Sequence, residues 1–164
     1  MVIRPATRED VSAITEIYNE VLASSTAIYR DIPVTVDERL AWFDAQKDKG
    51  YAVFIAAQDE RVLGYASYGD FRSWPGYRFT VEASIHLSSD ARHQGIGTQL
   101  FRALIEHARA AGKHMLIAGT DSENTASIRF LEKFGAERVG TLREVGYKFG
   151  RYLDLVFFQI SLAP

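Results

Sequence analysis

The chain contains no cysteine, which excludes disulfides, thiolate metal sites and any acyl-enzyme formed on a cysteine. Its four histidines, His86, His93, His107 and His114, show no HExxH-like spacing, so no zinc site is expected. The longest apolar run, YAVFIAA, falls far short of the roughly 20 residues that span a bilayer. The first ten residues carry charge and no apolar h-region, so no signal peptide is expected and a cytoplasmic location is. Only four prolines occur and no biased tract, so neither linker nor repeat is expected. With a formal charge of −2 there is no broad basic surface for nucleic acid. What remains is a 164-residue chain, 47% hydrophobic, long enough to bury a core as one domain over residues 1–164.

The periodicity divides the chain into a mixed α/β order. VIRPA reads as a strand, and Thr7 as the cap of a helix with the stripe Val11, Ile14, Ile17, Tyr18, Val21 and Leu22. Thr35 and Glu38 form a capping box for a second helix that stops at Gly50. YAVFIAAQ and RVLGYASYG alternate as a hairpin about Asp59 and Glu60, and FTVEASIHL follows as a third strand. An amphipathic helix with Ile96, Leu100, Phe101, Leu104, Ile105 and Ala108 on one face ends at Gly112. HMLIAG is a buried strand, Asn124 to Phe134 a helix closed by Gly135, and the tail a hairpin turning at Gly150. The β-α-β unit in the middle implies a parallel pair with a right-handed crossover, while the hairpins imply antiparallel neighbours, hence a mixed sheet.

RHQGIGTQL, residues 92–100, places two glycines at the mouth of a helix just behind a strand. A tight turn alone would accept glycine there. The Walker pattern is absent, since no GK[ST] follows. A dinucleotide fingerprint fits poorly, because bulky Leu100 takes the third small position, although Asp121 could stand as a ribose acid. The third possibility is a diphosphate cradle of open helix N–H groups and a favourable dipole, with no Cβ to obstruct the approach.

Arg92-His93-Gln94-Gly95-Ile96-Gly97 resembles the Q/R-x-x-G-x-G/A motif of the GNAT N-acetyltransferases, and Asn124 with FLEKFGA resembles a second segment of that family. FRSWPGYRFTVEASIHL, DSENTASIRFLEKFG and VGYKFGRYLDLVF are similar to one branch, the phosphinothricin and methionine sulfoximine acetyltransferases. The resemblance implies a single-domain fold with a mixed seven-stranded sheet, splayed between strands 4 and 5. It also implies acetyl-CoA as acyl donor without a metal, a small amino acid-like amine as acceptor, and a homodimer.

On that resemblance each site residue has an expected role beside a structural one. Glu82, in mid-strand, is the expected general base, or else a surface glutamate. The backbone of Ile85, His86 and Leu87 is expected to pair with the pantetheine arm, beside ordinary strand pairing. Arg92, His93, Gln94, Gly95, Ile96, Gly97 and Thr98 form the cradle. Asn124, Ser127 and Lys133 give the second cofactor contact, with Asn124 equally a helix cap. Arg72, Trp74 and Arg78 are expected to receive the acceptor's carboxylate and side chain, or to mark an interface, and Tyr29 to close the pocket. Lys148 and Arg151 read as a substrate clamp or a charged hairpin tip, with the tip favoured for Arg151.

Three positions depart from the branch: Ala83 where histidine is usual, His93 where glycine is usual, and Leu131 where histidine or the family's acid tyrosine would stand. They leave the acceptor open. A polyamine or a peptide N-terminus, or a silent acyl-CoA-binding module, remain the alternatives.

Overall fold

The computed structural model describes residues 1–163. Strands β1 (Val2–Pro5), β2 (Val53–Gln58), β3 (Arg61–Asp70), β4 (Thr80–Leu87), β5 (Met115–Asp121), β6 (Glu137–Lys148) and β7 (Arg151–Ser161) form one sheet in the order β1-β2-β3-β4-β5-β7-β6. Helices α1 (Val11–Ser24), α2 (Val36–Asp48), α3 (Ile96–Ala110) and α4 (Thr125–Lys133) complete the expected order. Only β4 and β5 run parallel, joined by the α3 crossover.

Local chemistry sets the boundaries. Thr35 N–H donates to Glu38 Oε2 at 2.7 Å and Glu38 N–H to Thr35 Oγ1 at 3.2 Å, the expected capping box of α2. Thr7 differs from expectation: it precedes a short 3₁₀ turn, Arg8–Asp10, and α1 begins only at Val11. Asp10 is the reason, because its carboxylate accepts from Thr7 N–H at 2.7 Å and pairs with both Arg4 nitrogens at 2.8 Å. That pairing holds the Asp10 carboxyl below its usual range.

The sheet is packed on both faces. The α3 stripe meets Tyr68, Val81, Leu116, Val156 and Phe158 on one side. The α1 stripe and Phe43 meet Val53, Ile55 and Tyr65 on the other. A cluster of Phe101, Phe130 and Phe134, with ring centroids 4.8–5.5 Å apart, ties α4 to α3.

One feature of the pairing positions the site. β4 pairs with β3 along its whole length, from Asp70↔Val81 to Gly64↔Leu87. Toward β5 it pairs only at Thr80, Val81 and Glu82. Beyond Glu82 the two strands part, and Ala83 to Leu87 present a backbone edge to open space.

Candidate active site

The gap between the parting strands holds a cavity of about 680 Å³. Its walls are Ala83 to Leu87 on one side, Ala118 to Asp121 on the other, the segment Ser25–Ala27 after α1, and the first turns of α3 and α4. The expected residues Ile85, His86, Leu87, Arg92, His93, Gly97, Asn124 and Ser127 all line it.

The glycine loop has the geometry of an anion cradle. His93 and Gly95 both lie in the left-handed region, at φ +62° and +76°. The first bond to enter α3 runs from Gln99 N–H to the Gly95 carbonyl at 3.3 Å. The N–H groups of Ile96, Gly97 and Thr98 therefore have no intrahelical acceptor, and the dipole's positive end adds to them. Ile96 contributes backbone only, since its side chain is buried in the core. The Gln94 side chain folds back onto the Asp90 carbonyl at 2.8 Å, away from the cradle. Across the gap, Asn124 caps α4 by accepting from Ser127 N–H at 3.1 Å, so its structural role is realised. Lys133 stands exposed at the far end of α4 and does not reach the cavity.

Glu82 sits where the strands part. A Cβ on Gly119 would lie 3.7 Å from Glu82 Oε1, 3.5 Å from Phe157 Cε1 and 3.2 Å from Leu155 Cδ1, so all three surround the bare backbone of Gly119. Burial raises the Glu82 carboxyl above its usual range, and the charge of Arg72 partly offsets this. Arg72 is thus the member of the aromatic loop whose charge acts on Glu82, and neither it nor Glu82 is among the residues that line the cavity. Arg78 instead stacks on Phe79 at 4.4 Å and donates to the Pro75 carbonyl at 3.1 Å, while Trp74 is 73% exposed. Neither lines the cavity. Tyr29 packs its ring on Gly146, where a Cβ would meet Cε2 at 2.4 Å. Its neighbours Ser25, Thr26 and Ala27 form the wall instead. Leu131 is buried against the cavity and offers no proton.

The tail residues divide. Arg151 is exposed at the rim of the cavity and pairs with Glu123 at 2.9 Å. Lys148 corrects both readings given to it: it is neither clamp nor tip, being 1% exposed and bonded to backbone carbonyls under α1. Asp121 is not a ribose acid either, because its buried carboxylate accepts from Thr26 Oγ1 and from Glu123 N–H at 3.1 Å. Sequence reasoning passed over Gly119, although a glycine inside a buried strand signals close approach. It also passed over the Ser25–Ala27 wall, which carries no local signal.

The site thus combines an unpaired strand edge, a cradle of open amides and a desolvated carboxylate where the strands part. Known proteins share its frame. The acetyltransferase (GNAT) domain family matches residues 1–137. The L-methionine sulfoximine/L-methionine sulfone acetyltransferase of Pseudomonas paraeruginosa is 46% identical, over 99% of this chain and 95% of its own. An acetyltransferase structure from Salmonella typhimurium, solved with its cofactor acetyl-CoA, superposes with a TM-score of 0.96 at 43% identity, covering 99% of this chain and 94% of that one. A phosphinothricin acetyltransferase of Sinorhizobium meliloti in complex with acetyl-CoA gives 0.96 at 35% identity, covering 99% and 88%.

Proposed function

This chain belongs to the GNAT acetyltransferase family, and we propose that it acetylates the α-amine of a small amino acid or amino acid analogue of the methionine sulfoximine, methionine sulfone or phosphinothricin type. Residues 1–164 would act as one N-acetyltransferase domain.

The unpaired β4 edge carries this reading. An extended arm can add to Ala83–Leu87 as a strand would, using N–H and C=O groups that β5 leaves free. Arg92 and the open amides of Ile96, Gly97 and Thr98 suit a diphosphate at the same end. Bound there, acetyl-CoA supplies a thioester carbonyl. Glu82 accepts a proton from the acceptor's ammonium, a role that a carboxyl raised by burial suits better than an ordinary glutamate. The neutral nitrogen forms the new C–N bond, the C–S bond breaks, and the nitrogen gives up its second proton to solvent. The thiolate then takes its proton from solvent, since Leu131 holds none. Arg72 faces the acceptor's carboxylate, and no metal enters the reaction.

Two further parts of the reading rest on surface character. The hairpin of β6 and β7 exposes Val145, Tyr147, Phe149 and Tyr152, an apolar set at the sheet edge that suits a second copy in a homodimer. No helix is long and apolar enough to cross a membrane among the described residues, and the −2 charge favours no nucleic acid; a cytoplasmic enzyme for small molecules fits both.

The test is thiol release from acetyl-CoA against methionine sulfoximine, methionine sulfone, phosphinothricin, free amino acids, spermidine and a short peptide. Turnover on the analogues is expected. Acetyl-CoA binding with no turnover on any amine would replace the enzyme by an acyl-CoA-binding module.

A further inference from the structure

We propose that Lys148 is a positioning residue for the acceptor. Its buried ammonium ties the segment after α1 to the β6–β7 hairpin and so builds the wall against which the acceptor rests, an inference that stands on the acetyltransferase reading above.

Lys148 is the last residue of β6 and is 1% exposed. Its Nζ donates to the carbonyls of Leu22, Ser25 at 2.8 Å and Ile28 at 2.7 Å. All three donors of the ammonium are used on backbone. Leu22 O is one of the carbonyls that the end of α1 leaves without an intrahelical partner, so the lysine acts as a helix cap delivered from 126 residues away. Cation and helix C-terminus are also electrostatically matched. Among the described residues no carboxylate forms an ion pair with it. A buried charge held by carbonyls and, at 4.9 Å, the Phe149 ring is costly unless every donor is met, and here each is.

The segment so fixed reaches the site. Ser25, Thr26 and Ala27 line the cavity opposite α4. Two more ties set the same segment: Thr26 Oγ1 donates to buried Asp121, itself a cavity residue, and Tyr29 lies on Gly146. All three ties end on β5 or β6, on the acceptor side of the gap. None touches α3 or the free edge of β4, where the diphosphate and the arm are proposed to bind, and the bonds of Lys148 itself stay clear of Asn124 and Ser127 on α4. The lysine therefore acts on the acceptor more than on acetyl-CoA.

Lys148→Met removes the three bonds and keeps most of the volume. Charged hydrogen bonds of this kind set an expected rise of about tenfold or more in the acceptor KM. The KM for acetyl-CoA should stay within about twofold, and kcat at saturating acceptor should change less than the KM. Hydrogen exchange at Ala27 and Ile28 should quicken at least about tenfold while α3 amides keep wild-type rates. Lys148→Arg, which keeps the charge and several donors, should recover part of both effects. Thr26→Val, a milder cut at the neighbouring tie, should shift the same KM in the same direction and serves if Lys148→Met does not fold. Equal rises in both KM values, or faster exchange spread through α3 and the sheet, would reduce Lys148 to a general stabiliser and overturn the proposal. Unchanged exchange at Ala27 and Ile28 would overturn it as well. A wild type that turns over no amine sinks the acetyltransferase reading instead, and with it the acceptor role, even where exchange shows the tie intact.

Discussion

Glu82 and Gly119 face each other where β4 and β5 part, with the carboxylate oxygen 3.7 Å from where a Cβ of Gly119 would stand. The bare glycine leaves room beside the carboxylate, and the last parallel pairs, Val81↔Leu116 and Glu82↔Ile117, fix its height. A carboxylate set there is desolvated. Gly119→Ala should press on Leu155, at 3.2 Å, and lower the thermal midpoint, while Glu82 at 3.7 Å stays at ordinary contact distance.

Glu82→Gln keeps the shape and removes the proposed base. General-base assistance contributes about 10²–10⁴-fold, so kcat/KM should fall by that order while acetyl-CoA binding persists. In the wild type, the acidic limb of kcat/KM should lie above the ordinary glutamate range, because burial raises the folded carboxyl. The same shift acts on stability. A raised carboxyl favours the fold below its unfolded pKa, and that advantage is lost as pH rises through the folded value. Denaturant melts should show Glu82→Gln equal to wild type in acid and more stable at neutral pH. A variant less stable at neutral pH would refute the desolvation argument.

Much of this was legible in the sequence, but only where the signal is local. The α3 stripe, the alternation of β4 and the Thr35–Glu38 box are written in nearest neighbours, and each is present. His93, taking a position where glycine is usual, does adopt φ +62°. The partner that delayed α1, Asp10, could be seen only once Arg4 was known to reach it. The role of Lys148 was invisible because its carbonyls come from the other end of the chain. Likewise, no periodicity marks the residue at which β4 and β5 stop pairing; the splay came from family resemblance alone.

Gly64 lies opposite Leu87 on β3, and it lets β4 come close. A Cβ there would meet Leu87 Cδ2 at 2.3 Å and the His86 carbonyl at 2.9 Å. The methyl can turn aside, but the carbonyl is backbone facing β3, so the whole of β4, with the edge proposed to pair with the cofactor, must shift. Gly64→Ala should cost about 1–3 kcal/mol by overpacking, seen as a lower thermal midpoint, and should raise the KM for acetyl-CoA. An unchanged KM beside a lower midpoint would separate β4 from cofactor binding.

Gly95 and Gly112 form a matched pair at the two ends of α3, at φ +76° and +70°, each with nothing within 4 Å of an added Cβ. Alanine at either position should cost about 1–2 kcal/mol, the penalty of left-handed backbone. Only Gly95→Ala stands at the proposed diphosphate cradle. Titration calorimetry with acetyl-CoA should show weaker binding for Gly95→Ala and wild-type binding for Gly112→Ala. Equal loss in both would mean that helix stability, and not the cradle, carries the effect.

Arg39 is buried at 8% exposure, with Nε unpartnered, over Trp42 at 3.7 Å and Tyr18 at 4.5 Å. Its cation bears on His86, whose ring lies between Tyr18 and Tyr65 at 6.0 and 5.4 Å. Burial first, and the Arg39 charge second, lower the His86 pKa to about 4. The imidazole is therefore neutral at working pH, on the strand that frames the cavity. In Arg39→Met the charge goes and the burial stays, so the pKa should rise but remain below 6.5, which proton NMR of the ring will read directly. A base with a depressed folded pKa binds its proton more readily when unfolded, so wild-type stability should fall as pH drops from about 6.5 toward 4. The slope in that window should be shallower in Arg39→Met, because the folded ring then accepts its proton earlier. An unchanged His86 titration would show that the guanidinium is felt only by its stacked rings, where replacement by lysine would then be the costlier change.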